Sequence, residues 1–343
     1  MPDLAAIVPK PEADRAIDGL RSEGVYDDDR SVVDAGDGTL EIPVTGPPEE
    51  TAVLEVVEQT DPVPRHRGLE DRLRAAGWSE AELERVPHSW SVIGDVVLVR
   101  FPEDCPDQAA VADALLDLHN ADSVLAKGEV TGPTREPDVT VVAGSGDTEV
   151  VHREHGTRYA LDLAEVMFSP GNKAERVRMG DVVEPGEQVF DAFAGIGYFA
   201  LPMARAGAEV TAAEINPTAF GYLAENAVLN EVESRLSAVL GDSREIVGPE
   251  GPGAAAHGAA DRLVLGHFEA GESLEALLPA LRRGGTVHLH AAVPADSEGA
   301  DKPLGKLEAA ADVLGRDTDA LERRRVKTYA PGMDHVVLDA TIE

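Results

Sequence analysis

A chain of 343 residues, 43% hydrophobic and 27% charged, is long enough for two domains and has the composition of folded protein, which excludes a wholly disordered, collagenous or coiled-coil chain. Its 64 Asp and Glu against 30 Lys and Arg leave a net charge of −34, and only six of the basic residues are lysine. Acidic excess with scarce lysine suits molar salt, where the Debye length falls to about 3 Å, so a halophilic source is expected and close contact with a polyanion stays open. No apolar run reaches the roughly 18 residues of a membrane span, and the start, Met1-Pro-Asp-Leu-Ala-Ala, lacks a basic segment followed by an apolar one. The lone Cys105 can neither form an internal disulfide nor complete a zinc site. A cytoplasmic protein with no metal centre, no membrane contact and no protein partner is expected.

In chain order, the first 45 residues read as a small mixed unit, with a helix over 12–22 ending at Gly24 and an extended piece over 40–44 before Gly46-Pro-Pro48. Asp61-Pro-Val-Pro-Arg-His-Arg-Gly68 reads as a linker into a short helix over 69–76. From Pro87 an α+β unit follows: a buried strand over 91–100, a helix over 108–118, and strands over 123–125, 139–143 and 148–152. Beyond Gly186 strands at 188–194, 209–215, 238–241, 261–265 and 286–291 alternate with helices at 198–205, 217–230 and 274–282. That alternation predicts a doubly wound parallel sheet, which binds ligands at the carboxyl ends of its strands. The expected division is an N-terminal extension with linker over 1–85, an α+β domain over 86–178 and a Rossmann-like catalytic domain over 179–343. Gly248-Pro-Glu-Gly-Pro-Gly-Ala-Ala-Ala-His-Gly258 reads as a surface insertion.

Asp191-Ala-Phe-Ala-Gly195-Ile-Gly197 joins the first strand of this region to its first helix, where glycines allow a tight turn and close approach to a ligand. Glu214 ends the next strand, where a carboxylate can accept both ribose hydroxyls. Asp242 ends the third, where an acid can accept from an adenine amino group while Ser243 offers a backbone N–H. By spacing alone Gly195-x-Gly197-x-x-Ala200 also fits a dinucleotide fingerprint, so an NAD-dependent oxidoreductase is the competing reading. The carboxylate of Asp191 counts against it, because a sulfonium or ammonium welcomes that charge and a pyrophosphate does not. Glycine loop, ribose acid and adenine acid at three successive strand ends resemble the class I S-adenosylmethionine-dependent transferases.

A narrower likeness lies in Met167-Phe-Ser-Pro-Gly-Asn172-Lys-Ala-Glu-Arg176-Val-Arg178, Asp191-x-Phe-Ala-Gly-Ile-Gly-Tyr-Phe199, Ala213-Glu-Ile-Asn-Pro217, Ala260-Asp-Arg-Leu-Val-Leu-Gly266 and Gly284-Gly-Thr-Val-His-Leu-His290. Together these resemble the archaeal wybutosine-synthesis tRNA aminocarboxypropyltransferases, from about Val86 to Glu343 and more faintly over the first 45 residues. With the acidic, lysine-poor composition, that resemblance makes a haloarchaeal source the expectation. The sister tRNA guanine-N1 methyltransferases differ at three places. They favour Ser-Pro-Arg where this chain has Ser169-Pro-Gly, Gly-Val-Gly-Pro-Phe where it has Gly195-Ile-Gly-Tyr-Phe199, and an Asn-Leu-Pro or Asn-Pro-Pro turn where it has Leu265-Gly-His267.

The resemblance implies transfer of the 3-amino-3-carboxypropyl group of S-adenosylmethionine onto 4-demethylwyosine beside the anticodon of phenylalanine tRNA, with methyl transfer to guanosine at the same nucleotide as the alternative. A non-catalytic tRNA-binding module is the reading from another class, and Glu214 with Asp242 disfavours it. Ser169, Arg176, Glu214, Asp242 and Ser243 are the implied cofactor contacts, beside Asp191, Gly195 and Gly197 of the loop. Arg176 is expected to pair the methionine carboxylate. No proton acceptor is assigned. His267 qualifies by position, and His288 with His290 alternates on a strand as sheet-face packing does. For the tRNA backbone the candidate cations are Arg65-His66-Arg67, Lys173 with Arg176 and Arg178, Arg282-Arg283, and above all Arg323-Arg-Arg-Val-Lys327. Tyr198 and Phe199 are placed to stack on a base or to pack the helix.

Overall fold

The computed structural model describes residues 3–65, 67–131, 136–247, 258–295 and 301–343. His66 and residues 248–257 of the glycine-rich insertion therefore lie outside the described residues. The chain divides into two compact units, 1–85 and 86–343.

The first unit holds β1 (Leu4–Pro9), α1 (Ala13–Ser22), β2 (Val33–Gly36), β3 (Thr39–Val44), β4 (Glu55–Glu58), α2 (Leu69–Ala75) and α3 (Glu80–Leu83). Its strands pair antiparallel in the order β2-β3-β1-β4. Ala16 and Leu20 of α1, one turn apart, pack on Ala6, Val8, Ile42 and Val44 of the sheet. Within the segment read as a linker, Pro64 bridges to Arg30, and Arg65 and Arg67 form ion pairs with Asp28.

In the second unit, β5 (Trp90–Ile93), β6 (Val96–Val99), α4 (Gln108–His119), β7 (Ser123–Thr131) and β8 (Glu136–Gly144) build a sheet of order β5-β6-β7-β8. The single strand expected over 91–100 is a hairpin instead. Gly94 takes φ +59 and turns the chain, while the Val and Ile on both arms mask the turn in the sequence pattern. A second hairpin, β9 (Glu149–Glu154) with β10 (Thr157–Asp162), leads to α5 (Lys173–Asp181).

The large sheet comprises β11 (Gln188–Asp191), β12 (Glu209–Glu214), β13 (Leu236–Leu240), β14 (Ala260–Leu265), β15 (Leu281–Pro294), β16 (Thr318–Ala330) and β17 (Met333–Ile342). The connections carry α6 (Ala200–Arg205), α7 (Pro217–Leu229), α8 (Ser243–Ile246), α9 (Leu274–Leu277) and α10 (Lys302–Val313). Strand order is β13-β12-β11-β14-β15-β17-β16, parallel up to β15, with β17 antiparallel between its neighbours. This is the expected α/β, Rossmann-like architecture of class I transferases. Its core falls in two layers, one on either side of the sheet: Leu201, Leu223 and Val189 in one, Phe190, Leu263 and Leu277 in the other. The helix expected over 274–282 stops at Leu277; a 3-10 turn with Pro279 follows, and Arg282 lies on β15. Because β11 sits between β12 and β14, the order in which successive strands join the sheet reverses there and a crevice opens at the strand ends. Strand β15 pairs with β14 only as far as Leu289 and then continues to Pro294 with β17, so β15, β17 and β16 rise beside that crevice.

Candidate functional site

A cavity of about 410 Å³ opens at the carboxyl ends of β11 to β14. Ser169, Arg176, Gly195, Glu214, Asp242 and Ser243 all line it; Asp191 and Gly197 lie behind its wall. Gly195 and Gly197 take φ +56 and +100, and a Cβ would stand 2.5 Å from the Tyr198 ring or 2.7 Å from Leu201, so only glycine fits either place. Buried Asn226 of α7 donates to the Ile196 carbonyl at 3.1 Å and exchanges hydrogen bonds with Ala160 of β10, tying the loop to the hairpin. Asn226 was not singled out in the sequence; it sits on the inward face of a predicted helix, where an amide is unusual.

Glu214 accepts the N–H of Gly195 and of Asn216, each at 2.7 Å. Burial pushes its carboxyl up, and its free lone pairs face a cavity that can supply hydroxyl donors. Asp242 caps α8 and accepts from the Arg244 backbone at 2.9 Å; the Arg244 side chain holds its carboxyl below the usual range. The two acids together suit ribose and adenine. Asp191 has no exposed surface: Oδ1 accepts the Phe193 N–H at 3.3 Å, Oδ2 meets no donor, and burial pushes the carboxyl up to about 7. A carboxyl buried just behind the glycine loop favours positive charge at that end of the cavity through space, and with the ribose and adenine acids it makes the lining fit S-adenosylmethionine.

Arg176 is placed differently from its expected task. Its guanidinium grips Glu154 of β9 at 2.7 and 2.9 Å, donates to the Ser169 carbonyl at 3.0 Å and covers Phe168. Burial alone would raise the Glu154 carboxyl, yet hydrogen bonds from His152 and Arg176 hold it down at about 2. Arg176 thus fastens the Ser169 turn to the hairpin. The cation whose ammonium meets Ser169 Oγ is Lys327 of β16, 2.9 Å away. In the sequence Lys327 is only the end of a basic run.

Most of the other expected tRNA cations are paired within the protein. Arg178 and Arg324 meet Glu175 and Asp339, Arg282 meets Asp261, Arg323 meets Asp301 and Arg325 meets Asp334. Lys173 is exposed. His288 accepts from Arg262 at Nε2, so its Nδ1–H donates to Asp339 Oδ1 at 2.6 Å, and His290 lies 3.0 Å from His335, all four of His288, Asp339, His290 and His335 being buried. His267 lines the cavity with its ring against Phe193, while Tyr198 and Phe199 form another part of the wall.

Residues 150–318 match the family model described as the TRM5/TYW2 methyltransferase domain, and residues 69–148 match the TYW2 N-terminal domain. Over 284 residues, 81% of this chain and 99% of the relative, the sequence is 38% identical to tRNA(Phe) (4-demethylwyosine(37)-C(7)) aminocarboxypropyltransferase of Pyrococcus horikoshii. The chain belongs to the TRM5/TYW2 family. Among solved structures of this family, P. horikoshii TYW2 in complex with MeSAdo superposes with TM-score 0.68 at 35% identity, covering 79% of this chain and 97% of that one. Wild-type Trm5b from Pyrococcus abyssi superposes with TM-score 0.72 at 32% identity over 99% of both chains. The TRM5/TYW2 match thus includes every cavity-lining segment up to Ser273, and the TYW2 N-terminal match includes the β5-β6-β7-β8 sheet. No helix among the described residues is long and apolar enough to cross a membrane.

Proposed function

We propose that this protein is a tRNA aminocarboxypropyltransferase that uses S-adenosylmethionine to modify 4-demethylwyosine beside the anticodon of phenylalanine tRNA. Bound S-adenosylmethionine supplies a sulfonium from which the four-carbon aminocarboxypropyl arm can be displaced, leaving methylthioadenosine. Glu214 holds the ribose, Asp242 and Ser243 the adenine, and the Gly195–Gly197 loop lets the backbone approach closely. Asp191, buried below the loop with its carboxyl raised to about 7, is drawn toward its ionised form by the positive end of the ligand and favours that charge in return. Holding the arm rather than the methyl group toward the acceptor is a matter of near-attack geometry.

The observation that carries this reading is the end of β14. The resemblance puts an Asn-Pro turn there in guanine-N1 methyltransferases, where an amide can steer a purine nitrogen. Here the turn is Leu265-Gly266-His267: Leu265, in place of the amide, is a fully buried hydrocarbon, and at Gly266 a Cβ would stand 3.0 Å from the Phe199 ring. Methyl transfer at the same nucleotide is the second reading, favoured by the full-length superposition on Trm5b, which extends over the first unit. In the proposed division, residues 179–343 are catalytic, 86–178 form the α+β domain and 1–85 the N-terminal extension. The composition supports a cytoplasmic enzyme of a halophile, working where salt screens its repulsion from tRNA.

The test incubates the protein in molar KCl with phenylalanine tRNA carrying 4-demethylwyosine and S-adenosylmethionine labelled in either its methyl or its carboxyl carbon. Carboxyl label entering tRNA, with methylthioadenosine released, is the expected result. Methyl label entering tRNA that carries unmodified guanosine would establish the second reading instead.

A further inference from the structure

We propose that Lys327 and Asn172 form the subsite for the α-amino-acid end of the cofactor, Lys327 taking the carboxylate and Asn172 Oδ1 the ammonium. The inference rests on the cofactor assignment above and adds the two residues that decide where the transferred arm lies.

The acids that line the cavity are Glu214, Asp242, Glu269 and Glu272, of which Glu272 pairs with Lys306. Among the cavity's basic side chains, Arg244 is paired with Asp242 and Arg176 with Glu154. Lys327 donates to a neutral hydroxyl, Ser169 Oγ at 2.9 Å, and no carboxylate among the described residues pairs with it. It is half-buried, and the charged groups that act on it most strongly, Lys127 and Arg176, are both cations. A lysine held among cations costs stability until an anion arrives. Across the same turn Asn172 lines the cavity, and its Oδ1 is buried without a hydrogen-bond donor. A cation without an anion and an acceptor without a donor, on one turn of one cavity, match a zwitterionic amino acid. Gly171 between them makes room: a Cβ there would stand 2.8 Å from Lys327 Nζ.

Binding separates this arrangement from the nucleoside subsite, because methylthioadenosine keeps the adenosine and sulfur but lacks the arm. S-adenosylmethionine and methylthioadenosine are titrated calorimetrically into wild type, Lys327→Met, Lys327→Arg and Gly171→Ala, all in molar KCl. Lys327→Met is expected to weaken S-adenosylmethionine about 10- to 100-fold and methylthioadenosine by less than about twofold. Lys327→Arg should recover part of the loss, and Gly171→Ala, which displaces the ammonium, should share it. Decarboxylated S-adenosylmethionine should bind wild type and Lys327→Met alike. Undiminished S-adenosylmethionine binding by Lys327→Met overturns the inference alone, as does equal weakening of both ligands. A wild type that binds neither compound overturns the cofactor assignment itself.

Discussion

Replacing Asp191 by Asn should stabilise the ligand-free protein while weakening its hold on S-adenosylmethionine. Asp191 closes β11 with no exposed surface and one unpartnered oxygen. Burial, helped by the Glu214 carboxylate, moves its pKa from 3.8 up to about 7. A carboxyl whose pKa rises on folding holds its proton more tightly in the folded chain. Its contribution to stability is therefore complete below 3.8 and is lost as pH climbs through about 7. At about 1.4 kcal/mol per unit, the shift amounts to roughly 4 kcal/mol over the whole window and roughly 3 kcal/mol between about pH 5 and about pH 8. Asn does not titrate, and its amide oxygen can still accept the Phe193 N–H. The stability advantage of Asp191→Asn over wild type should therefore grow by roughly 3 kcal/mol between those pH values. Urea denaturation at fixed KCl, followed by circular dichroism, measures it. An advantage that stays constant within about 1 kcal/mol would refute the burial argument. Affinity for S-adenosylmethionine should fall in the same variant, because the buried negative charge that favours a cation beyond the loop is gone.

Glu214→Ala removes the acceptor of two backbone N–H groups along with the ribose acceptor, so S-adenosylmethionine and methylthioadenosine should weaken together, on the order of 100-fold, by equilibrium dialysis. This differs from the Lys327 variants, which should discriminate between the two ligands. Asp339→Asn leaves His288, Arg178 and Arg324 facing no carboxylate at that point and should cost about 3–5 kcal/mol in urea denaturation. Against the opposing effect of burial, His288 and the arginines hold the Asp339 carboxyl at about 2, so this contribution is present above 3.8 and is lost as pH falls toward about 2. Breaking the more exposed Arg325–Asp334 pair should leave the urea midpoint almost where it is, because solvent screens it. With a net charge of −34, the chain should lose structure on dialysis from molar to about 0.1 M KCl; equal melting temperatures in both would refute the halophilic expectation.

Much of the large sheet was legible in the sequence because its signals are local. Buried parallel strands read as Val-rich runs, Pro217 opens α7, and Gly195 and Gly197 occupy φ values that other residues resist. Glu214 and Asp242 were placed by the same logic, since the residue ending a parallel strand must stand at the mouth of the crevice. Where local signals coincide, they fail: the Val-rich arms of the β5-β6 hairpin hide Gly94, and Pro279 cuts short a helix that composition alone would continue. The partners of the charged groups were decided only by tertiary packing. Arg176 is fit by type to bind a carboxylate, and it does so, but the carboxylate is Glu154, brought opposite it by a hairpin 22 residues earlier. Lys327 reaches Ser169 across 158 residues because β16 forms the edge of the sheet beyond β17 and rises beside the crevice. A basic run in a sequence states only that charge is present. Which charges are neutralised and which are left facing a cavity depends on elements far apart in the chain, and Coulomb interactions follow distance in space rather than along the backbone.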